Sequence, residues 1–192
     1  MVVELQEPIV DGLHMSDTSQ DLLSRASEAK KQGRLAEARH DASQATGMLR
    51  RRAPGVELAQ ALRLLAEVER KLHQDLAARQ HYEEAAELCR SYADPLMRAH
   101  TVRHLGDLYQ ELGHPELAEP CYGEALDLYR VQKDTPPLDL ANAIRSMAVL
   151  KTDSGNTEQA RMLWQEARDL YALVNVREGV AESSAQLSRL AG

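Results

Sequence analysis

Two groups of residues have the types and spacing for chemistry. His100 and His104 stand four apart, a separation that on a helix can put two imidazoles on one metal ion. Arg63, Arg103 and Arg145 recur 40 and 42 residues apart, and each guanidinium is a planar fork suited to a carboxylate. Against the metal reading, no Glu follows the first histidine in the HExxH manner and no third ligand stands nearby in sequence, so no metal is expected. Against the recognition reading, Glu67 follows Arg63 by four residues and Asp107 follows Arg103 by four, so each pair also reads as an exposed intrahelical ion pair. Arg145 has no such partner, because Val149 stands four residues on. Cys89 and Cys121 fall at different repeat phases, about 12 Å apart along a helix, and are expected as free thiols. There is no GxGxxG, P-loop or GxSxG pattern, and no Ser/His/Asp spacing. No catalytic residue or cofactor is therefore expected, and the chain does not read as an enzyme.

The elements that position these residues are helical. Ala, Leu, Glu, Arg and Gln dominate the 192 residues, Phe is absent and aromatics are 4%, which disfavours a β-rich fold. Lys plus Arg number 23 against 30 Asp plus Glu, a net charge of −7, which argues against nucleic acid as partner. No apolar run is long enough to span a membrane, and two cysteines suit a reducing, cytoplasmic setting. Residues 1–17 read as a flexible N-terminal tail, with Met15 an alternative start and Ser16, Asp17, Thr18 and Ser19 offering helix N-caps.

From there the chain repeats itself. Segments beginning at Ser19, Ala59, Ala99 and Ala141 carry small residues at three fixed phases. The eighth residues are Ala26, Ala66, Gly106 and Ala148. The twentieth are Ala38, Ala78, Ala118 and Ala160, and the twenty-seventh Ala45, Ala85, Ala125 and Ala167. The twenty-fourth are Ala42, Tyr82, Tyr122 and Trp164, whose shared phase points to buried packing rather than to base stacking. Small residues let two helices of each repeat approach, and large ones fill the space between. Gly33, Gly113 and Gly155 mark the turns between paired helices, while the second repeat must turn on His73. Pro54, Pro95, Pro136 and Pro137 open successive repeats. This predicts nine helices, over 18–32, 35–51, 55–72, 75–92, 95–112, 115–131, 138–153, 157–173 and 177–190. The last caps the array, and Pro120 should bend or delay the sixth.

Leu105-Gly106, Tyr109, Gly113, Ala118, Tyr122 and Ala125 resemble the tetratricopeptide repeat, as do Ala148, Gly155, Ala160, Trp164 and Ala167, and Leu65-Ala66, Ala78, Tyr82 and Ala85. The first repeat is degenerate, with Arg25 for Leu and Ala42 for the aromatic. The 40 to 42-residue period is similar to the longer subtype of kinesin light chains, LGN/Pins-type adaptors and some bacterial peptide-sensing regulators. The resemblance implies an all-α fold over 18–192: a right-handed superhelix, or α-solenoid, of about four helix hairpins plus a C-terminal capping helix. It implies that the first helix of each pair lines a concave groove that binds a protein or peptide segment. By the family's pattern the groove-facing residues include Gln60, Arg63, Arg70, His100, Arg103, Asp107, Asn142 and Arg145, joined toward the N-terminal half by Lys30, Lys31 and Lys71. The expected partner is a protein or peptide with acidic groups, neither nucleic acid nor membrane, and self-association is left open. The expected role is adaptor or scaffold; the alternative is a peptide-sensing regulator acting on a separate effector chain.

Overall fold

The computed structural model describes residues 18–52 and 55–191. The expected N-terminal tail, the alternative start at Met15 and the helix-opening role of Pro54 lie outside the described residues. Among those described, nine helices follow one another: α1 (Ser19–Lys31), α2 (Leu35–Arg52), α3 (Val56–Lys71), α4 (Asp75–Ser91), α5 (Pro95–Glu111), α6 (Pro115–Val131), α7 (Pro137–Asp153), α8 (Thr157–Leu173) and α9 (Arg177–Arg189). Each end lies within one residue of the sequence expectation.

Local chemistry accounts for the ends. Thr18 caps α1 in a reciprocal box: its hydroxyl accepts from the Asp21 N–H, and the Asp21 carboxylate accepts from the Thr18 N–H. Pro95 and Pro137 each occupy the first turn of their helices, where a missing N–H costs no hydrogen bond. Pro120 lies inside α6, which nevertheless starts at Pro115 and runs unbroken to Val131. The ring sits one turn in, on an exposed stretch, where only one helical bond is lost. Six helix ends close through a residue with positive φ. Gly33, Gly113 and Gly155 serve three of them, and His73, Ala93 and Asn175 adopt the same conformation at 53 to 58°. At each, the next N–H reaches back to a carbonyl five residues earlier, as Gln74 does to Glu69 and Asp94 to Cys89. The left-handed step is set by this closure of the helix end, so the chain makes it even where no glycine is supplied.

All twelve small residues at the three repeat phases are buried. Tyr82, Tyr122 and Trp164 are buried to 1% exposure or less, as packing predicts. Gly106 shows why one of the twelve has no side chain: a Cβ there would stand 2.7 Å from the Tyr122 ring. The core is a chain of local clusters rather than one centre. Ala26, Ala42, Leu64 and Leu65 form one, and Ala66, Ala78, Tyr82, Leu105 and Leu108 another. Each repeat thus covers its neighbour's apolar face, as expected of a quasi-linear array. At the end, α9 contributes Leu187 to the cluster around Ala148, Ala160 and Trp164. The degenerate first repeat is repaired by charge. Arg25 donates through Nε and Nη2 to Asp41, each at 3.0 Å, and Asp41 is buried beside Ala42.

Consecutive helices pack together, and the first helices also touch across repeats: α1 on α3, α3 on α5, α5 on α7. The second helices make no comparable contact among the described residues. An array whose first helices lie closer together curves toward them, so they line the concave side of this all-α solenoid. Among the described residues no helix is long and apolar enough to cross a membrane.

Candidate functional site

Two hollows open along that concave side. One, of about 400 Å³, is walled by α1 and α3, including Lys30, Lys31, Gln60 and Arg63. The other, of about 500 Å³, is walled mainly by α3, α5 and α7, including Arg70, Arg103, Asp107, Asn142 and Arg145. His100 lines neither hollow and lies 4.0 Å from the Glu67 carboxylate. The eight sequence-selected residues therefore lie on the inner layer, but they are not equally accessible. Gln60 is exposed, Arg63, Arg70, His100, Asp107, Asn142 and Arg145 are half-buried, and Arg103 is buried.

The arginines are not free. Arg63 pairs with Glu67 on its own helix, as its spacing predicts. Arg103 pairs with Asp107 at 3.0 Å, also as spacing predicts, but the pair expected on the surface is enclosed, with side chains 10% and 19% exposed. Arg145, for which no intrahelical partner was expected, donates through Nε and Nη2 to both oxygens of Glu182 on α9, at 2.6 and 2.5 Å. Arg70 lies 3.5 Å from Asp107 and 3.6 Å from Glu111.

Two carboxylates organise the rest. Glu67 receives Lys30 from α1 and Arg63 from α3. Burial alone would raise its carboxyl pKa, but Arg63, His104 and Lys30 outweigh that and hold it at about 2. Asp107 accepts from the Ser146 hydroxyl of α7 at 3.0 Å and from Arg103 at 3.0 Å. The Tyr122 hydroxyl stands between Asp107, at 3.1 Å, and Gln110, at 2.9 Å. His104 Nδ1 is 3.2 Å from the same Asp107 carboxylate. Burial opposes the Asp107 charge, and the His104, Arg103 and Arg70 donors reverse it, keeping this carboxyl well below its ordinary range. The two imidazoles go the other way. Burial, then mutual repulsion and the neighbouring guanidiniums, push His100 down to about 3, and burial also lowers His104. Both are neutral near pH 7.

Asn142 shows how the second layer tunes the first. Its Oδ1 accepts from the Tyr171 hydroxyl at 2.8 Å, which leaves the amide N–H groups as the donors available to the groove. Tyr171 belongs to α8, behind the groove wall.

Sequence reasoning missed Glu182, Ser146 and the Lys30–Glu67 contact. One signal could have found them. Lys30–Glu67, Arg70–Asp107 and Arg145–Glu182 each span 37 residues, three fewer than a 40-residue repeat. Asp107 and Ser146 span 39, three fewer than the 42-residue repeat. On neighbouring first helices, a residue therefore meets one from a turn earlier in the next repeat. Glu182 is the second residue of a fifth repeat starting at 181, and so continues the column Gln20, Gln60, His100 and Asn142.

The two cysteines are free thiols, Cys89 buried and Cys121 half-buried. Burial pushes each up to about 11.

Comparison with known proteins places this geometry. Residues 57–130 match the family model of the tetratricopeptide repeat. No curated protein matches the chain in sequence. Among solved structures, aspartyl phosphate phosphatase F from Bacillus subtilis aligns with a TM-score of 0.81 at 16% identity, over 90% of this chain and 45% of that one. A Rap protein complexed with competence and sporulation factor aligns with a TM-score of 0.75 at 18% identity, over 90% of this chain and 48% of that one. BtubC from P. vanneervenii aligns with a TM-score of 0.67 at 16% identity, over 89% of this chain and 78% of that one. The chain thus spans about half the length of two of these neighbours, and at such identities the likeness is one of fold. Residues 57–130 thus carry tetratricopeptide repeats, and the same helix hairpins continue on both sides of them.

Proposed function

We propose that the protein binds a protein or peptide segment along its concave groove, as an adaptor of the long-repeat kind acting in the cytoplasm and not as an enzyme. The observation that carries this reading is that both inner hollows are walled by first helices and lined by side chains that can meet a backbone: Gln60, Asn142, Gln110 and Ser146. Charge refines it. In the hollow between α1 and α3, Lys30 and Arg63 share Glu67 and Lys31 stands beside Glu28, three cations against two carboxylates, so the surplus charge is positive and an acidic stretch of the segment belongs there. In the other hollow Arg70, Arg103 and Arg145 face Asp107, Glu111 and Asp153, so an acidic ligand group gains only what it wins in exchange from those carboxylates.

A displayed library of random peptides, panned against the full chain, tests this. Enrichment of sequences rich in Asp and Glu is expected, with binding lost in a Gln60→Ala, Lys31→Glu double variant that spares the buried ion pairs. Peptides that bind this variant as well as the parent would place recognition elsewhere.

A second reading, a regulator that passes ligand binding to a separate effector chain, is favoured by the neighbour solved with competence and sporulation factor. Ligand-dependent compaction in small-angle scattering separates it from a passive adaptor.

A further inference from the structure

Three donor atoms converge in the middle of the groove: Glu67 Oε1 on α3, and the Nε2 atoms of His100 and His104 on α5. The two Nε2 atoms are 3.1 Å apart, and Glu67 Oε1 lies 4.0 Å from that of His100 and 3.9 Å from that of His104. Three atoms so spaced share a point about 2.1 Å from each, the length of a bond from Zn²⁺ to imidazole nitrogen or carboxylate oxygen. The third ligand, invisible along the chain, comes from the preceding repeat. The side chains of His100, His104 and Glu67 are 30%, 16% and 11% exposed, so the cluster is partly shielded yet reachable from the groove.

We propose that Glu67, His100 and His104 form a three-ligand site for a divalent transition-metal cation of the Zn²⁺ class. The fourth coordination position faces the groove, open to water or to a donor from a bound segment. The wider arrangement is that of a ligand set held in place. His104 Nδ1 lies 3.2 Å from the Asp107 carboxylate, and Nε2 is the ring nitrogen turned toward His100 and Glu67. Asp107 is fixed in turn by Ser146.

The surroundings select among cations. Lys30 and Arg63 hold Glu67, and Arg103 Nη2 lies 2.8 Å from His104 Nε2. A metal exchanges with these groups. It takes Glu67 Oε1 from Arg63 and the His104 lone pair from Arg103, while Lys30 keeps Oε2 and Arg103 keeps Asp107 through Nη1. The positive neighbours oppose every dication alike, and it is the donor set of two nitrogens and one oxygen that disfavours Mg²⁺ and Ca²⁺, which depend on several oxygen ligands.

The test titrates the EDTA-stripped full chain with Zn²⁺ by calorimetry, and with Co²⁺ as a coloured probe, in the absence of any peptide. The result is therefore independent of the peptide-binding reading. One ion per chain is expected, with the strong visible absorption of low-coordinate Co²⁺. His100→Ala and the shape-conserving His104→Gln should each weaken binding at least about tenfold. Arg63→Gln removes a competitor and should tighten it, whereas His73→Asn, at an exposed turn, should leave it unchanged. Circular dichroism confirms the fold of each variant. Absence of saturable binding at one equivalent, or binding that both histidine variants retain, would overturn the proposal.

Discussion

Glu67→Gln should convert a pH-dependent protein into a less pH-dependent one. The glutamine keeps the shape of the side chain but removes the charge that Lys30 and Arg63 share. The Glu67 carboxyl is held at about 2 against an ordinary 4.5. At 1.36 kcal/mol per pKa unit, that difference corresponds to about 3 kcal/mol of stability at neutral pH. Because the folded value is the depressed one, this contribution is complete above pH about 4.5. It fades as the pH falls toward 2, where the carboxyl protonates in both states. For a chain of this length, 3 kcal/mol corresponds to roughly 6–12 °C in melting temperature. Parent and variant should be melted by circular dichroism in EDTA at several pH values from 7 down to 2.5. The parent should melt higher by about that margin at pH 7, and the two curves should converge on acidification. A gap of the same size at pH 7 and at pH 2.5 would refute the reasoning, because the effect would then lie in packing and not in the charge.

Three further outcomes follow from other parts of the structure. Gly179→Ala should destabilise by about 1–3 kcal/mol, since a Cβ there would stand 2.5 to 2.7 Å from the buried Tyr171 ring; displacing that ring also loosens its bond to Asn142, so Tyr171→Phe in the same background should cost less than it does alone in a double-mutant cycle of chemical denaturation. Ala93→Gly should stabilise by about 0.5–1 kcal/mol in the same assay, because Ala93 holds a φ of 53° that glycine adopts freely, a gain partly offset by the looser unfolded chain; an unchanged or lowered midpoint would count against that account. Iodoacetamide should alkylate both cysteines far more slowly than a small-molecule thiol at pH 8, with rates rising toward pH 11, since burial raises both thiols to about 11.

The sequence by itself determined the helices, their pairing and their ends. The small-residue phases specify where two helices can touch, and that information is local to each 40 or 42-residue unit. The aromatic phase of Tyr82, Tyr122 and Trp164 was legible for the same reason, since burial recurs wherever the unit recurs. His73 at the second turn was legible as the residue that had to serve where glycine was missing, while Ala93 was not, because nothing in its side chain announces a left-handed step; Asn175 is a residue type that tolerates this step, but it stands between repeats, outside the turns that the glycine phase marks.

What the tertiary structure decided is how charge is distributed between units. Arg145 appeared unpaired along its own helix and finds Glu182 on α9. Arg103 and Asp107 read as a surface pair and are enclosed by α6 and α7. His100 and His104 stood alone along their helix until α3 brought Glu67 alongside. The physical reason is common to all three. Intrahelical contacts follow the helical period and can be counted along the chain. Contacts between first helices depend on how far one repeat is shifted against the next, here by about one turn, and that offset is set by the packing of Ala, Tyr and Trp behind the groove rather than by the residues that face it.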